Sequence, residues 1–370
     1  MALSERLKMA RAALNLTLQA VEERMGIGVS TLSEFENGKR EPRLLQLKQL
    51  ADGYLRPVTF FLEDGPVASQ FVLWRKKPES PRAEEVQARL VKLGEQYHHL
   101  ELLCNAHEPC DLPFHGGPAD RFSYAQAEKL AHQFRQLLGL GERPGQALLR
   151  VLEEVCKIKV FHLDFEPPGS AACMLNESFG AAVLLNARHV RWRRNFDLAH
   201  ELFHLLTWKT FRSAGEGDAV EASEMEEKFA TCFARNLLVP PEILRVAVDE
   251  TSAKQGGKLT FDDLFEIARQ FDVSVEVIVR HISFVYGKSA EWANTVLDQL
   301  RSQIGFWDNR VSDTPSALPL RFHALARQAL RHGKLSTGKY AEYVGVSRRE
   351  AMQIVEQDAE DDASIEVAHP

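Results

Sequence analysis

The chain has 370 residues, enough for two or three domains with ordinary hydrophobic cores. Its composition, 45% hydrophobic and 26% charged, excludes disordered and fibrous proteins, and a net charge of -7 argues against a nucleic-acid surface along the whole chain. No apolar run approaches the roughly 18 residues that a membrane helix needs, and five scattered cysteines without a Cys-x-x-Cys pair are typical of reduced thiols. We therefore expect a cytoplasmic protein without a membrane segment.

The first 64 residues have the pattern of a small helical domain. Apolar residues keep helical spacing up to Leu14, Thr17 is placed to cap the next helix, and Gly26-Ile27-Gly28 forms a tight turn. With the run Ser30 to Pro42 that follows this turn, the segment resembles the Cro/C1-type (XRE) helix-turn-helix family. The resemblance implies five helices, with Val29 to Phe35 as the recognition helix.

The charge of this domain leaves its partner open. Residues 1–64 contain nine Lys or Arg and nine Asp or Glu, and the expected recognition helix region carries Glu34 and Glu36. Because duplex binding draws much of its affinity from phosphate neutralisation, a neutral domain offers little of it. Duplex DNA binding remains one interpretation, and docking or homodimerisation is the other.

Residues 65–121 are expected to be a linker. The basic run Trp74 to Pro78 is extended, and Pro81 to Cys104 is a helix. Cys110 follows in a loop that contains Pro109 and Pro113. A thiolate on a rigid loop is a good zinc ligand, so Cys110 is a candidate inhibitory ligand; an ordinary loop thiol is the alternative.

The region after two predicted helices, Tyr124 to Leu140 and Gly145 to Cys156, contains short strands. Ile158 to Leu163 alternates as a strand does, and Ala171 to Leu185 has the pattern of a hairpin. The edge of such a sheet can pair with an extended substrate, although a sheet that only supports the next helix fits equally well.

A basic cluster lies between this hairpin and the next helix. Four arginines surround one tryptophan, a pattern that favours phosphate pairing and base stacking with single-stranded nucleic acid. A solvated, arginine-rich turn is the alternative. The cluster consists of Arg188, Arg191, Trp192, Arg193 and Arg194.

The next helix carries the strongest chemical motif, His-Glu-x-x-His. His200 and His204 are four residues apart, so both imidazoles lie on one face of the helix and can bind one metal ion. Glu201 lies beside them and can act as the general base of a zinc peptidase. The surrounding residues are nearly all apolar, which predicts a buried helix.

A third ligand is expected from the acidic start of a later helix. Glu226 and Glu227 lie at equal angles from the centre of its apolar stripe, so periodicity leaves both open. The two motifs together resemble the ImmA/IrrE metallopeptidase family, which implies Glu227 as the ligand. Thr231 and Phe203 depart from that family's Asn and Gly, and a bulky Phe203 is expected to narrow the pocket.

The resemblance implies one Zn²⁺ per chain and a gluzincin-like endopeptidase in which Glu201 is the catalytic base. It also implies a helix-turn-helix repressor as substrate, cleaved to derepress an operon after DNA damage or stress, with phage defence as one setting and single-stranded DNA as a signal. The second oxyanion donor remains open among His162, His189 and Tyr124. The alternative function is a DNA-binding regulator with a structural or degenerate metal site.

The predicted fold is α+β and mostly helical, with a small β-sheet in the peptidase domain. The domains are expected at residues 1–64, 122–287 and 288–370, the last being a helical region with an acidic tail. Leu335 to Ser347 is similar to a second, truncated helix-turn-helix, in a stretch that is locally basic. This basic region either contacts nucleic acid or forms a solvated face.

Overall fold

The computed structural model describes residues 2–62, 72–75, 77, 82–110, 112–166, 169–212, 221–254, 256–308 and 314–361. Over these residues the protein is mostly helical with one four-stranded sheet, which confirms the predicted class. The elements are α1 (Leu3–Ala13), α2 (Leu18–Met25), α3 (Val29–Glu36), α4 (Leu44–Gly53), α5 (Val58–Leu62), β1 (Leu73–Arg75), α6 (Ala83–Leu103), α7 (Tyr124–Leu137), α8 (Leu148–Glu154), β2 (Lys159–Leu163), β3 (Ala171–Asn176), β4 (Gly180–Asn186), α9 (Arg191–Leu206), α10 (Trp208–Phe211), α11 (Glu224–Leu238), α12 (Pro241–Ala253), α13 (Phe261–Phe271), α14 (Val275–Val285), α15 (Ala290–Asp308), α16 (Leu320–Arg331), α17 (Thr337–Val344) and α18 (Arg348–Asp361).

The N-terminal domain has the five predicted helices, α1 to α5. The Thr17 hydroxyl caps α2 by accepting a hydrogen bond from the amide of Ala20 (3.1 Å). Gly26 then ends α2 in the left-handed conformation (φ 67°), which L-residues with side chains rarely adopt. On α3, Glu36 forms an ion pair with Arg11 (2.6 Å), so part of the negative charge of this helix is already neutralised.

The sheet has the order β1-β3-β4-β2. β3 and β4 form the predicted antiparallel hairpin, and β2 runs parallel to β4. β1, from the segment expected to be a linker, pairs with β3 as a short edge strand. The predicted extended run, Trp74 to Pro78, is extended at Trp74 and Arg75, whereas Lys76 and Pro78 lie outside the described residues. The pairing of β1 was not predicted, because three residues carry too little pattern to indicate a strand partner.

Both faces of the sheet are covered. Side chains alternate along the strands, so Cys173 points towards α9 and Met174 towards the opposite face. That opposite face packs against α6, α16 and α17. The expected linker and the C-terminal region therefore complete a second core, on the sheet face opposite α9.

Some predicted segments lie partly outside the described residues. Pro81, at the expected start of the linker helix, is one, and α6 begins at Ala83. The acidic tail is described only as far as Asp361, within α18. None of the helices in the described ranges combines the length and the hydrophobicity that crossing a membrane requires.

Candidate functional site

Helix α9 positions three polar side chains inside an apolar environment. His200, Glu201 and His204 are all at most 1% exposed. The helix packs between the hairpin β3–β4 and helix α11, because nearly every other side chain in its second half is apolar and buried. Buried polar groups need partners, so the residues facing them decide what this site can do.

Helix α11 supplies a carboxylate to both histidines. Glu227 Oε2 lies 3.1 Å from His200 Nε2, and Glu227 Oε1 lies 3.3 Å from His204 Nε2. Ligands bound to one tetrahedral ion at about 2.1 Å are roughly 3.4 Å apart, so these spacings fit a zinc-sized cation. Ligand atoms of all three residues lie within 4.8 Å of one another. The side chain of Glu227 is 33% exposed, so the site opens to solvent on this side.

Glu226 contacts His204 from the side of the ring opposite to Glu227. Its Oε1 lies 2.8 Å from His204 Nδ1 and also accepts a hydrogen bond from Arg212 (2.8 Å). A carboxylate on the outer nitrogen fixes the ring orientation and directs Nε2 towards a bound cation. Periodicity could not separate Glu226 from Glu227, whereas the structure gives the two adjacent glutamates different partners.

Glu201 occupies the least polar position of the group. Burial raises the pKa of its carboxyl to about 7. The thiol of Cys173, on β3, lies beside it, and burial also raises the pKa of that thiol. Among the described residues, none donates a well-aligned hydrogen bond to either Glu201 oxygen. This carboxylate is therefore placed to exchange a proton near neutral pH.

The two histidines are electrostatically different. Burial, reinforced by the positive charge of Arg75, lowers the pKa of His200 to about 4. Burial also opposes protonation of His204, but hydrogen bonds to Glu226 and Glu227 outweigh it and raise its pKa to about 9. Burial acts against ionisation of Glu227 as well, yet hydrogen bonds from both histidines hold its pKa well below the usual range. Glu227 is therefore ionised and available to a cation.

Two known protein families match the chain in the regions just described. A family model described as helix-turn-helix matches residues 7–61, and one described as an IrrE N-terminal-like domain matches residues 153–283. The chain joins a helix-turn-helix domain to an IrrE-like peptidase domain. These matches confirm the resemblances seen in the sequence and support a metallopeptidase. No curated protein and no solved structure gives a significant match.

Arg75 marks the rim of the site in the IrrE-like domain, a residue that sequence reasoning missed. Its guanidinium forms an ion pair with Asp197, one turn before His200, and lies 5.5 Å from the ring centroid of Phe196. His189 Nδ1 lies 3.4 Å from the other oxygen of Asp197. A strand-borne arginine has no periodic relation to a helix motif, so no sequence signal pointed to it.

The other two oxyanion candidates are engaged elsewhere. His162 Nδ1 lies 3.1 Å from the carbonyl oxygen of Ser316. The ring of Tyr124 packs edge-on against Phe229 at 5.1 Å.

Cys110 is not brought to the histidines in this structure. It packs beside the hairpin at Gly180, where an added β-carbon would lie 3.0 Å from the Cys110 β-carbon. The metal-ligand group contains His200, His204 and Glu227 without it. The inhibitory role of Cys110 stays a prediction that requires a different loop conformation.

Phe203 lies in the hydrophobic core. It is fully buried in an aromatic cluster, with ring centroids 5.6 Å from Phe122 and 5.7 Å from Phe233. The ring also packs edge-on against His204 at 5.7 Å, so the expectation that Phe203 narrows the pocket stays a prediction.

The arginine cluster is only partly a surface feature. Arg194 is buried and donates to the backbone carbonyl of His189. Arg191 lies 2.9 Å from Asp272, which links the start of α9 to the end of α13. Arg194 therefore cannot belong to a nucleic-acid surface in this conformation.

The remaining members of the cluster face outwards. Arg188 is exposed but forms an ion pair with Asp164. Trp192 is half-buried, and Arg193 is exposed. The nucleic-acid interpretation rests on fewer side chains than the sequence suggested.

A second group of metal-binding residue types lies between α6 and the sheet. Nδ1 atoms of His98 and His107 lie 3.8 and 3.5 Å from Oε2 of the buried Glu101. However, Lys159 lies 3.1 Å from the same oxygen, and Arg321 lies 2.5 Å from Oε1. Two cations already neutralise this carboxylate, so we interpret the group as an ion network that joins α6, β2 and α16.

Proposed function

We propose that the protein is a zinc-dependent endopeptidase that cleaves a helix-turn-helix repressor. The observation that carries this proposal is the convergence of His200, His204 and Glu227 beside the buried Glu201. A purely structural metal site has no use for a free carboxylate next to its ligands. The helix-turn-helix and IrrE-like matches support a regulator that acts on proteins or DNA.

His200, His204 and Glu227 would hold the metal, which when bound supplies a Lewis acid and lowers the pKa of water. Glu201 accepts the proton of the attacking water and passes it to the leaving amine nitrogen. Its raised pKa of about 7 suits both transfers. Glu226 keeps the ring of His204 in the orientation that presents Nε2.

An extended segment of the substrate would pair with the edge strand β1. β1 lies at one end of the sheet order, and Arg75 at its end contacts the helix that carries His200. At the opposite end, the β2 amide of His162 donates to the carbonyl of Ala317, so that edge is partly occupied. A peptide on β1 gains backbone hydrogen bonds next to the catalytic residues.

The substrate class and signal follow from the resemblance to ImmA/IrrE peptidases. We propose an XRE-type repressor as the substrate, and DNA damage or another stress, sensed as single-stranded DNA, as the signal. Cleavage of the repressor would then derepress a phage-defence or mobile-element operon. Arg193 and the half-buried Trp192 are accessible to such a signal, as are Arg188 and Arg191, whose ion pairs with Asp164 and Asp272 would compete with it.

The alternative is a DNA-binding regulator whose metal site is structural. The helix-turn-helix match favours it. In that case, substitution of Glu201 should not change function, whereas loss of His200 should destabilise the fold.

Co-expression with a candidate XRE repressor, with and without single-stranded DNA, tests the proposal. We expect cleavage by the unmodified chain, none by Glu201→Gln, and normal cleavage by Glu224→Gln. Glu224 is the matched control because it lies on α11 but is exposed and paired with Lys228. Cleavage that survives Glu201→Gln would exclude Glu201 as the base, and repressor that stays intact in every arm would favour the regulator.

A further inference from the structure

The last three described helices repeat the architecture of the first three. Helices α2 and α17 each have eight residues and begin after a hydroxyl cap, Thr17 and Ser336. Each ends at a left-handed glycine, Gly26 (φ 67°) and Gly345 (φ 75°). After two intervening residues the next helix begins, α3 in one unit and α18 in the other. This is the geometry of a helix-turn-helix.

The two units also correspond residue by residue in their cores. A constant offset of 319 positions relates the cap residues, the turn glycines and the buried apolar positions. At five corresponding positions that are buried in both units, two pairs have the same residue type and three pair different hydrophobic residues. These pairs are Leu7 and Ala326, Ala10 and Ala329, Leu16 and Leu335, Val21 and Tyr340, and Leu32 and Ala351.

The units differ in the charge of the outward face of the third helix. Arg348 and Arg349 lie in the first turn of α18, at positions that Val29 and Ser30 occupy on α3. Both arginines and the nearby Gln353 are exposed. The same offset places Gln353 at the position of Glu34 on α3. The first turn of α18 therefore has two cationic donors that α3 lacks, and its one carboxylate, Glu350, accepts from the amide of Ser347 (2.7 Å).

The same contrast holds for the whole units. Residues 322–355, which the offset relates to residues 3–36, contain six Lys or Arg against two Glu, whereas residues 3–36 contain four against five. Arg321, just before this range, belongs to the network around Glu101. Lys339, on α17, is exposed and pairs only at the surface with Glu342 (3.0 Å). An exposed basic surface beside α18, the third helix of this unit, is electrostatically complementary to the phosphates of a duplex.

We propose that α17 and α18 form a second helix-turn-helix that binds duplex DNA, with α18 as the recognition helix. Arg348 and Arg349 contact phosphates or guanine edges, and Gln353 lies one turn further along the same helix. Recognition helices contact bases mainly through their N-terminal residues, so the acidic residues beyond Glu356 lie past the reading positions. This inference does not depend on peptidase activity.

The location of this unit gives it a direct connection to the peptidase core. α16 packs on α6 and on the sheet face opposite α9. Arg321 on α16 also donates to the carbonyl of Ala106 (2.7 Å). A duplex bound at α18 is therefore attached to the IrrE-like domain through packed structure.

Duplex binding by the full chain tests the proposal, with a labelled random-sequence duplex of about 30 base pairs in fluorescence anisotropy at several salt concentrations. We expect Arg348→Ala with Arg349→Ala to weaken binding by about tenfold or more. The slope of log affinity against log salt should fall by about 2, since each lost phosphate contact removes about 1. Replacement of both arginines by lysine should restore most of the binding.

The matched control is Ser30→Glu, which adds a negative charge at the corresponding exposed position of α3. We expect it to leave duplex binding unchanged. The proposal is overturned if Ser30→Glu abolishes binding while the double alanine variant binds normally, or if the unmodified chain binds no duplex at low salt. Thermal melting by circular dichroism verifies that all variants fold, which the exposure of these positions favours.

Discussion

Glu226→Gln should weaken metal binding although Glu226 is not one of the three proposed ligands. Its carboxylate lies 2.8 Å from His204 Nδ1 and 2.8 Å from Arg212. Glutamine keeps the shape and one accepting oxygen but loses the charge, so His204 becomes a less basic ligand and Arg212 loses its ionic partner. Changes in such outer partners cost 10- to 100-fold in metal affinity.

The expected magnitude depends on what replaces the carboxylate. Because glutamine can still accept from His204, we expect about a tenfold loss, equivalent to about 1.4 kcal/mol. Glu226→Ala removes the acceptor that His204 Nδ1 and Arg212 share, and there we expect a loss of about 100-fold in zinc affinity. Both variants should remain folded, since the aromatic core on the other side of α9 is unchanged.

Competition with a chromophoric zinc chelator measures these affinities directly. Glu224→Gln on the same helix is the control, because its side chain is 86% exposed and far from the histidines. Equal zinc affinity in Glu226→Gln, Glu226→Ala and the unmodified chain would refute the role assigned to Glu226. The reasoning would also be refuted if Glu224→Gln weakened zinc binding as much as Glu226→Ala.

Four further results are expected. His200→Ala should reduce bound zinc from one per chain to a small fraction, measured by atomic emission after dialysis. Peptide cleavage should rise with pH through a midpoint at or below about 7, because Glu201 accepts a proton only when ionised; a profile that is flat from pH 5 to 8 would contradict this. Glu101→Gln should lower the free energy of unfolding by about 3 kcal/mol in urea titrations, since two cations then lack their buried partner. Cys110→Ser should leave zinc affinity unchanged in the loop conformation described, whereas the inhibitory hypothesis requires higher basal cleavage.

The helices and the hairpin were predictable because their signals are local. Two residues four apart, such as His200 and His204, lie on one face of any helix. Thr17 and Gly26 mark the ends of α2 because a hydroxyl caps a helix start and glycine adopts the left-handed conformation that ends a helix. The choice between Glu226 and Glu227 was not predictable from periodicity. Both residues flank the apolar stripe equally, and only the packing of α11 against α9 determines which carboxylate meets the two Nε2 atoms.

Long-range pairings account for most of what the sequence did not show. Arg75 reaches Asp197 only because β1 joins the sheet. Arg194 can be buried because its guanidinium donates to the backbone carbonyl of His189, five residues earlier in the chain. Charge composition alone placed Arg194 on the surface. A side chain that satisfies a buried carbonyl cannot be distinguished in sequence from one that faces solvent.

Because helices cover both faces of the sheet, the limits of the IrrE-like match are not limits at which the protein can be cut. The IrrE-like match ends at residue 283, but Phe161 and Leu184 on the sheet are buried by helices on the side of α6 and α16. A fragment cut at the limits of that match would expose this apolar face to water and aggregate. Transplanting the IrrE-like region into another protein would therefore require α6 and α16 as well.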